Sequence, residues 1–121
     1  MDVLQAARGH GDLDFIVYEG RRLSFDRFFA EADALAATLQ RDHGIGKGDR
    51  VAIAMRNCPE WSVAFTAAAL AGAIVVPVNS WGKMEELRFA LTDCGARCLI
   101  CDEVRYGLLA GVHEALDIDV L

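Results

Sequence analysis

Trp61-Ser62-Val63-Ala64-Phe65-Thr66-Ala67-Ala68-Ala69-Leu70-Ala71-Gly72-Ala73-Ile74-Val75-Val76-Pro77-Val78-Asn79-Ser80-Trp81-Gly82 carries no charged side chain, and its reading decides the fold. It is about as long as a membrane-spanning helix needs to be. The residue types divide it instead. Residues 61–71 are Ala-rich and helix-forming, Gly72 interrupts them, and Ile74-Val75-Val76-Pro77-Val78 is β-branched with a proline, which reads as a strand. A buried helix followed by a buried parallel strand produces such a run without lipid.

Outward from this unit the chain alternates. Arg50-Val51-Ala52-Ile53-Ala54-Met55 reads as a short apolar strand, and Asn57-Cys58-Pro59 starts the helix that runs to about Ala71. On the other side a helix is expected from about Lys83 to Asp93, stopping at Gly95, then a strand from Cys98 to Cys101. Asp102 is read as the N-cap of a fourth helix carrying Val104, Leu108, Leu109, Val112 and Leu116, and residues 118–121 as a further strand. Upstream, Phe15-Ile16-Val17-Tyr18 and Leu23-Ser24 flank Glu19-Gly20-Arg21-Arg22, a β-hairpin pattern. Ser24 is placed to cap a helix whose Phe25, Phe28, Phe29, Ala32, Leu35, Ala36 and Leu39 form one apolar stripe, ended by Gly44. The expectation is one α/β domain over residues 1–121: a hairpin at 15–24, then alternating helix and strand from 24 to 121. Strand–helix repeats of this length imply right-handed crossovers and a mostly parallel, doubly wound, Rossmann-like sheet with helices on both faces.

The composition agrees with one soluble globular domain: 121 residues, 54% apolar, 25% charged. The net charge of −6 argues against a nucleic-acid or anionic-membrane partner, either of which calls for a basic face. The first residues show neither a basic n-region nor an apolar core of a secretory signal, so a cytoplasmic location is expected. Cys94-x3-Cys98-x2-Cys101 has iron–sulfur spacing. A strand would, however, send Cys98 and Cys101 to opposite faces, so structural thiols and no metal are expected.

Other candidate chemistry has ordinary explanations. His43-Gly44-Ile45-Gly46-Lys47-Gly48-Asp49 invites a phosphate-loop reading, but it runs from helix to strand, the reverse of what presents helix amides to an anion. It reads as a cap and turn with Lys47 and Asp49 solvated. His10, His43 and His113 form no catalytic spacing, and Glu85 and Glu86 point in different directions from the first turn of a helix. A phospho-receiver would need acids at the end of the first parallel strand, where Met55-Arg56-Asn57 offers none. Ligands of open α/β sheets bind outside the strand C-termini, so Arg56, Asn57, Asn79, Ser80, Trp81, Gly82, Asp102 and Arg105 mark the edge where a site could lie.

Several of these segments, taken in order, resemble the AMP-forming acyl-CoA synthetases of the adenylate-forming ligase superfamily. Tyr18-Glu19-Gly20-Arg21-Arg22-Leu23-Ser24-Phe25 is similar to the family's opening hairpin and first core motif. Gly46-Lys47-Gly48-Asp49-Arg50-Val51-Ala52-Ile53 with Asn57-Cys58-Pro59-Glu60 is similar to its turn–strand–helix segment. Residues 68–79, where Gly72 and Pro77 bracket a strand, resemble its second core motif, and Glu85-Glu86-Leu87 and Cys94-Gly95-Ala96-Arg97 continue the match. Each motif is individually weak; their joint order and spacing, from Phe15 to Asp102, is specific.

The resemblance implies a parent enzyme that converts a carboxylic acid and MgATP to acyl-adenylate and pyrophosphate, then transfers the acyl group to CoA. It implies that this chain is the N-terminal part of such a ligase, inactive alone and with no catalytic residue, metal or bound cofactor of its own, because the family's Ser/Thr/Gly-rich phosphate loop and its C-terminal lysine have no counterpart here. Its partners would be the rest of the ligase chain and, in the intact enzyme, the acid and CoA. The positions matching a segment that can approach CoA are Trp81, Gly82 and Arg105; a helix-start turn and a solvated arginine are the alternative. A standalone α/β interaction or regulatory module that kept the fold without the chemistry is the competing class. Surface meant for a missing subdomain should leave an apolar patch that promotes self-association.

Overall fold

The structure, a computed structural model, describes residues 3–78, 84–108 and 119–120. A short helix α1 (Val3–Arg8) precedes a hairpin of β1 (Asp14–Tyr18) and β2 (Arg21–Ser24). There follow α2 (Phe25–His43), β3 (Arg50–Ala54), α3 (Pro59–Leu70), β4 (Ile74–Pro77), α4 (Met84–Cys94), β5 (Cys98–Cys101), α5 (Glu103–Leu108) and β6 (Asp119–Val120). The charge-free run thus divides as its residue types require, into α3, a turn at Ala71-Gly72 and β4. No helix among the described residues is long and apolar enough to cross a membrane.

The four parallel strands lie in the order β4-β3-β5-β6. The step from β3 to β4 runs one way across the sheet and the step from β4 to β5 runs back over β3. With right-handed crossovers, opposite directions put α3 and α4 on opposite faces. The side chains show it. Val51, Ile53, Met55, Cys98 and Ile100 pack with Ala36, Leu39, Ala64, Ala67 and Ala68 of α2 and α3, whereas Ala52, Ala54 and Leu99 pack with Leu87 and Leu91 of α4. Strand alternation sorts the thiols likewise, Cys98 into the first layer and Cys101 against the second. None of the four cysteines forms a disulfide.

β4 is an edge strand and its proline suits it. The Ile74 and Val78 amides donate to Asp49 and Ile53 of β3 at 2.7 and 2.9 Å, so the positions of Val75 and Pro77 face away from β3. Proline at an outward position forfeits no ladder bond and leaves the open edge poorer in donors.

Caps and turns follow the sequence signals. The Ser24 hydroxyl accepts the Arg27 amide at 3.1 Å, and Gly44 closes α2 in the left-handed region at φ 64°. The hairpin turns on Glu19-Gly20, both with positive φ (48° and 79°), as a two-residue hairpin turn requires. Asp49 departs from expectation. It is not simply solvated; its Oδ2 accepts the Gly46 amide at 2.8 Å and the Arg97 guanidinium at 2.9 Å. Arg97 also donates to the Gly44 carbonyl and Arg50 to that of Cys94, so two guanidinium groups sit on the C-terminal ends of α2 and α4, where positive charge is favoured. The helix α1, absent from the sequence reading, is held by Arg8, which pairs with both oxygens of Asp33 at 2.8 and 3.0 Å and lies over the Phe29 ring.

Candidate functional site

β3 and β5 are neighbours whose following connections leave toward opposite edges of the sheet, so the gap beyond their C-terminal ends is the topological switch point. An open cleft of about 610 Å³ lies there. Its floor comes from Met55, Arg56 and Cys58 after β3 and from Cys101, Asp102 and Glu103 after β5. Its third wall is the hairpin, through Tyr18, Glu19 and Arg21, with Glu60 of α3 alongside. The hairpin is fastened by Arg21, whose guanidinium donates to Glu60 at 2.7 Å. That hydrogen bond holds the Glu60 carboxyl below its usual range.

Asp102 organises the floor. One oxygen accepts the Arg105 amide at 2.9 Å, which makes it the cap of α5 that its position after a strand suggested. The other accepts the Arg56 amide at 3.0 Å and the Arg105 guanidinium at 3.0 Å, so one carboxylate ties the turn after β3 to the helix after β5. Burial by itself would raise its pKa. The two amides and the guanidinium outweigh that and hold the carboxyl below its ordinary value. Next to it, burial and the Asp102 charge push the Cys101 thiol up to about 11, so it stays protonated and is a poor nucleophile at neutral pH.

Of the edge residues singled out in the sequence, Arg56, Asp102 and Arg105 come together. Asn79, Ser80, Trp81 and Gly82 lie outside the described residues. Arg105 is not a solvated arginine: it is 7% exposed and folded onto Asp102. Sequence reading missed Tyr18, Glu19, Arg21 and Glu60 as cleft residues. No local signal reports that a hairpin some forty positions upstream folds across a sheet edge.

Neither helix start at the cleft presents a glycine-rich anion-binding turn. The turn into α3 holds Cys58-Pro59-Glu60 where a phosphate loop would hold glycines, and the capping amide of α5 is already taken by Asp102. Glu60 and Glu103 put negative charge in the first turns of both helices. Among the described residues, no group of three His, Cys, Asp or Glu side chains could hold a metal ion.

The family described as AMP-binding enzyme matches residues 3–119. A long-chain-fatty-acid–CoA ligase of Salmonella typhimurium is 38% identical over 95 residues, 78% of this chain and 17% of the ligase; its Bacillus subtilis counterpart is 36% identical over 89 residues, 74% and 16%. Among solved structures, a putative long-chain-fatty-acid CoA ligase from Rhodopseudomonas palustris superposes with a TM-score of 0.87 at 32% identity, covering 99% of this chain and 32% of that one. An o-succinylbenzoate CoA synthetase from Bacillus subtilis in complex with AMP gives 0.85 at 25% identity, covering 98% and 30%. The chain spans about a sixth of the length of the curated relatives it matches. With the hairpin, the sheet order and the matched residues all in place, the chain belongs to the AMP-binding enzyme family.

Proposed function

We propose that this chain is the first α/β portion of an AMP-forming acid–CoA ligase, and that long-chain fatty acids are the acids the whole enzyme activates in the cytoplasm. The observation that carries the reading is the match over residues 3–119 together with 38% identity to a long-chain-fatty-acid–CoA ligase. The intact enzyme would use MgATP to convert the carboxylate to an acyl-adenylate and would then pass the acyl group to the thiol of CoA. The part taken by this chain is architectural: its cleft at the switch point faces the region where the rest of the enzyme would complete the site. Trp81, Gly82 and Arg105 are its candidate contributions to CoA binding. The Arg105 side chain, held by Asp102, would then act from a fixed position rather than as a free surface cation. The test is a fusion in which this chain replaces the matching segment of the Salmonella ligase. Long-chain acyl-CoA formation by the folded fusion, within roughly tenfold of the parent (about 1.4 kcal/mol of barrier), is expected. A folded fusion with no acyl-CoA formation would overturn the reading.

A further inference from the structure

α1 is attached to the molecule more lightly than the turn that follows it. Residues 9–13 are anchored at the start of α2, where the Asp26 amide donates to the Gly11 carbonyl at 2.9 Å and the Phe25 amide to that of Leu13 at 3.0 Å. The His10 ring lies 4.8 Å from that of Phe25. With the Arg27 amide on the Ser24 hydroxyl, the first three amides of α2 are satisfied. α1 has no such hold. It buries no residue, and its inward Leu4 and Ala7 are only partly covered. A helix of six residues has little stability of its own, because its few hydrogen bonds do not offset the cost of nucleation.

What fixes α1 is the Arg8 side chain. Phe29 and Asp33 are one turn apart on α2, so one guanidinium reaches both. Its central carbon lies 4.5 Å from the centre of the Phe29 ring, and its two terminal nitrogens donate to the two Asp33 oxygens at 2.8 and 3.0 Å. That hydrogen bonding holds the Asp33 carboxyl below its usual range. The pair nevertheless stays in water, with side-chain exposures of 38% and 52%, where such contacts are weak enough to break reversibly. Gly9, between the pin and the anchored turn, gives the backbone a point at which to swing. We propose that α1 is a strap that lifts and unwinds at Gly9 while the sheet stays folded, pinned shut by Arg8 across Phe29 and Asp33. Opening takes the guanidinium off Phe29, which is 4% exposed when the strap is closed. The proposal does not depend on the ligase reading.

Hydrogen exchange of the 121-residue chain, followed amide by amide by NMR, tests it. The Gly9 and His10 amides, bonded to the Ala6 and Ala7 carbonyls, report the last turn of α1, and the amides of β3 and β5 report the sheet. The α1 amides should be the less protected set, and their exchange should barely respond to low urea, as a local opening does. Asp33→Ala should speed α1 exchange roughly two- to fivefold and leave the sheet amides unchanged. Arg8→Ala, which also takes the cation off Phe29, should speed it roughly five- to twentyfold, again in α1 alone. Native α1 amides that share the protection and urea dependence of the sheet would overturn the proposal. So would either variant changing both sets equally, or failing to fold, since α1 would then belong to the cooperative core. Variants that leave α1 exchange at the native rate would assign the hold to Leu4 and Ala7 instead of the pin, and would overturn it too.

Discussion

Asp102 joins two turns that are distant in sequence, and its side chain is only 20% exposed, so its loss should be felt in stability. Asp102→Ala removes acceptors for two amides and a guanidinium and should cost about 2–3 kcal/mol in urea unfolding at pH 7. The pH dependence has a definite sign. Because the folded pKa is depressed, the Asp102 contribution is fully present above the unfolded value near 3.9 and is lost as pH falls through the lower folded value. The gap between wild type and Asp102→Ala should therefore hold from pH 7 to 5 and close below about pH 4. Cys101 offers a second check. With its thiol near 11, iodoacetamide should modify it slowly at pH 7 and progressively faster toward pH 11, followed by peptide mass spectrometry. Fast labelling at neutral pH would contradict the buried, Asp-flanked environment. At this scale the sequence was half legible. The cap role of Asp102 is a local pattern and could be read, but its reach to an amide 46 residues away is tertiary and could not.

The elements form where periodicity and caps agree. The stripe of α2 places Phe28, Phe29, Ala32, Ala36 and Leu39 inside, and Ser24 and Gly44 bound it. Ser24→Ala should cost about 1 kcal/mol by loss of the Arg27 amide bond. Gly44→Ala should cost about 1–2 kcal/mol for a different reason. A Cβ there would meet only the Arg97 guanidinium at an ordinary 3.7 Å, so the penalty is the left-handed φ and not a clash. Guanidinium chloride unfolding of the two variants measures both. The helix α1 was illegible because it buries no residue of its own and is held by Arg8 on Asp33 and Phe29, contacts no short window contains. Asp49 was misread for the same reason: its partner Arg97 lies 48 residues ahead.

At the scale of the molecule, the alternation of apolar strands and helices was enough for a parallel doubly wound sheet, because buried strands and amphipathic helices have different periods. The order β4-β3-β5-β6 was not, since strand order depends on which faces the helices cover and the sequence pattern is the same for several orders. The hairpin's place over the switch point was illegible too, resting as it does on the Arg21–Glu60 contact across 39 residues. On the ligase reading proposed above, this fold unit supports an adenylate-forming enzyme without carrying its chemistry. ATP–pyrophosphate exchange with long-chain fatty acids measures that most directly, run on the chain alone and on its fusion with the Salmonella ligase. Exchange is predicted in the fusion and only background exchange in the chain. Exchange by the 121-residue chain itself, or none by a folded fusion, would contradict that reading.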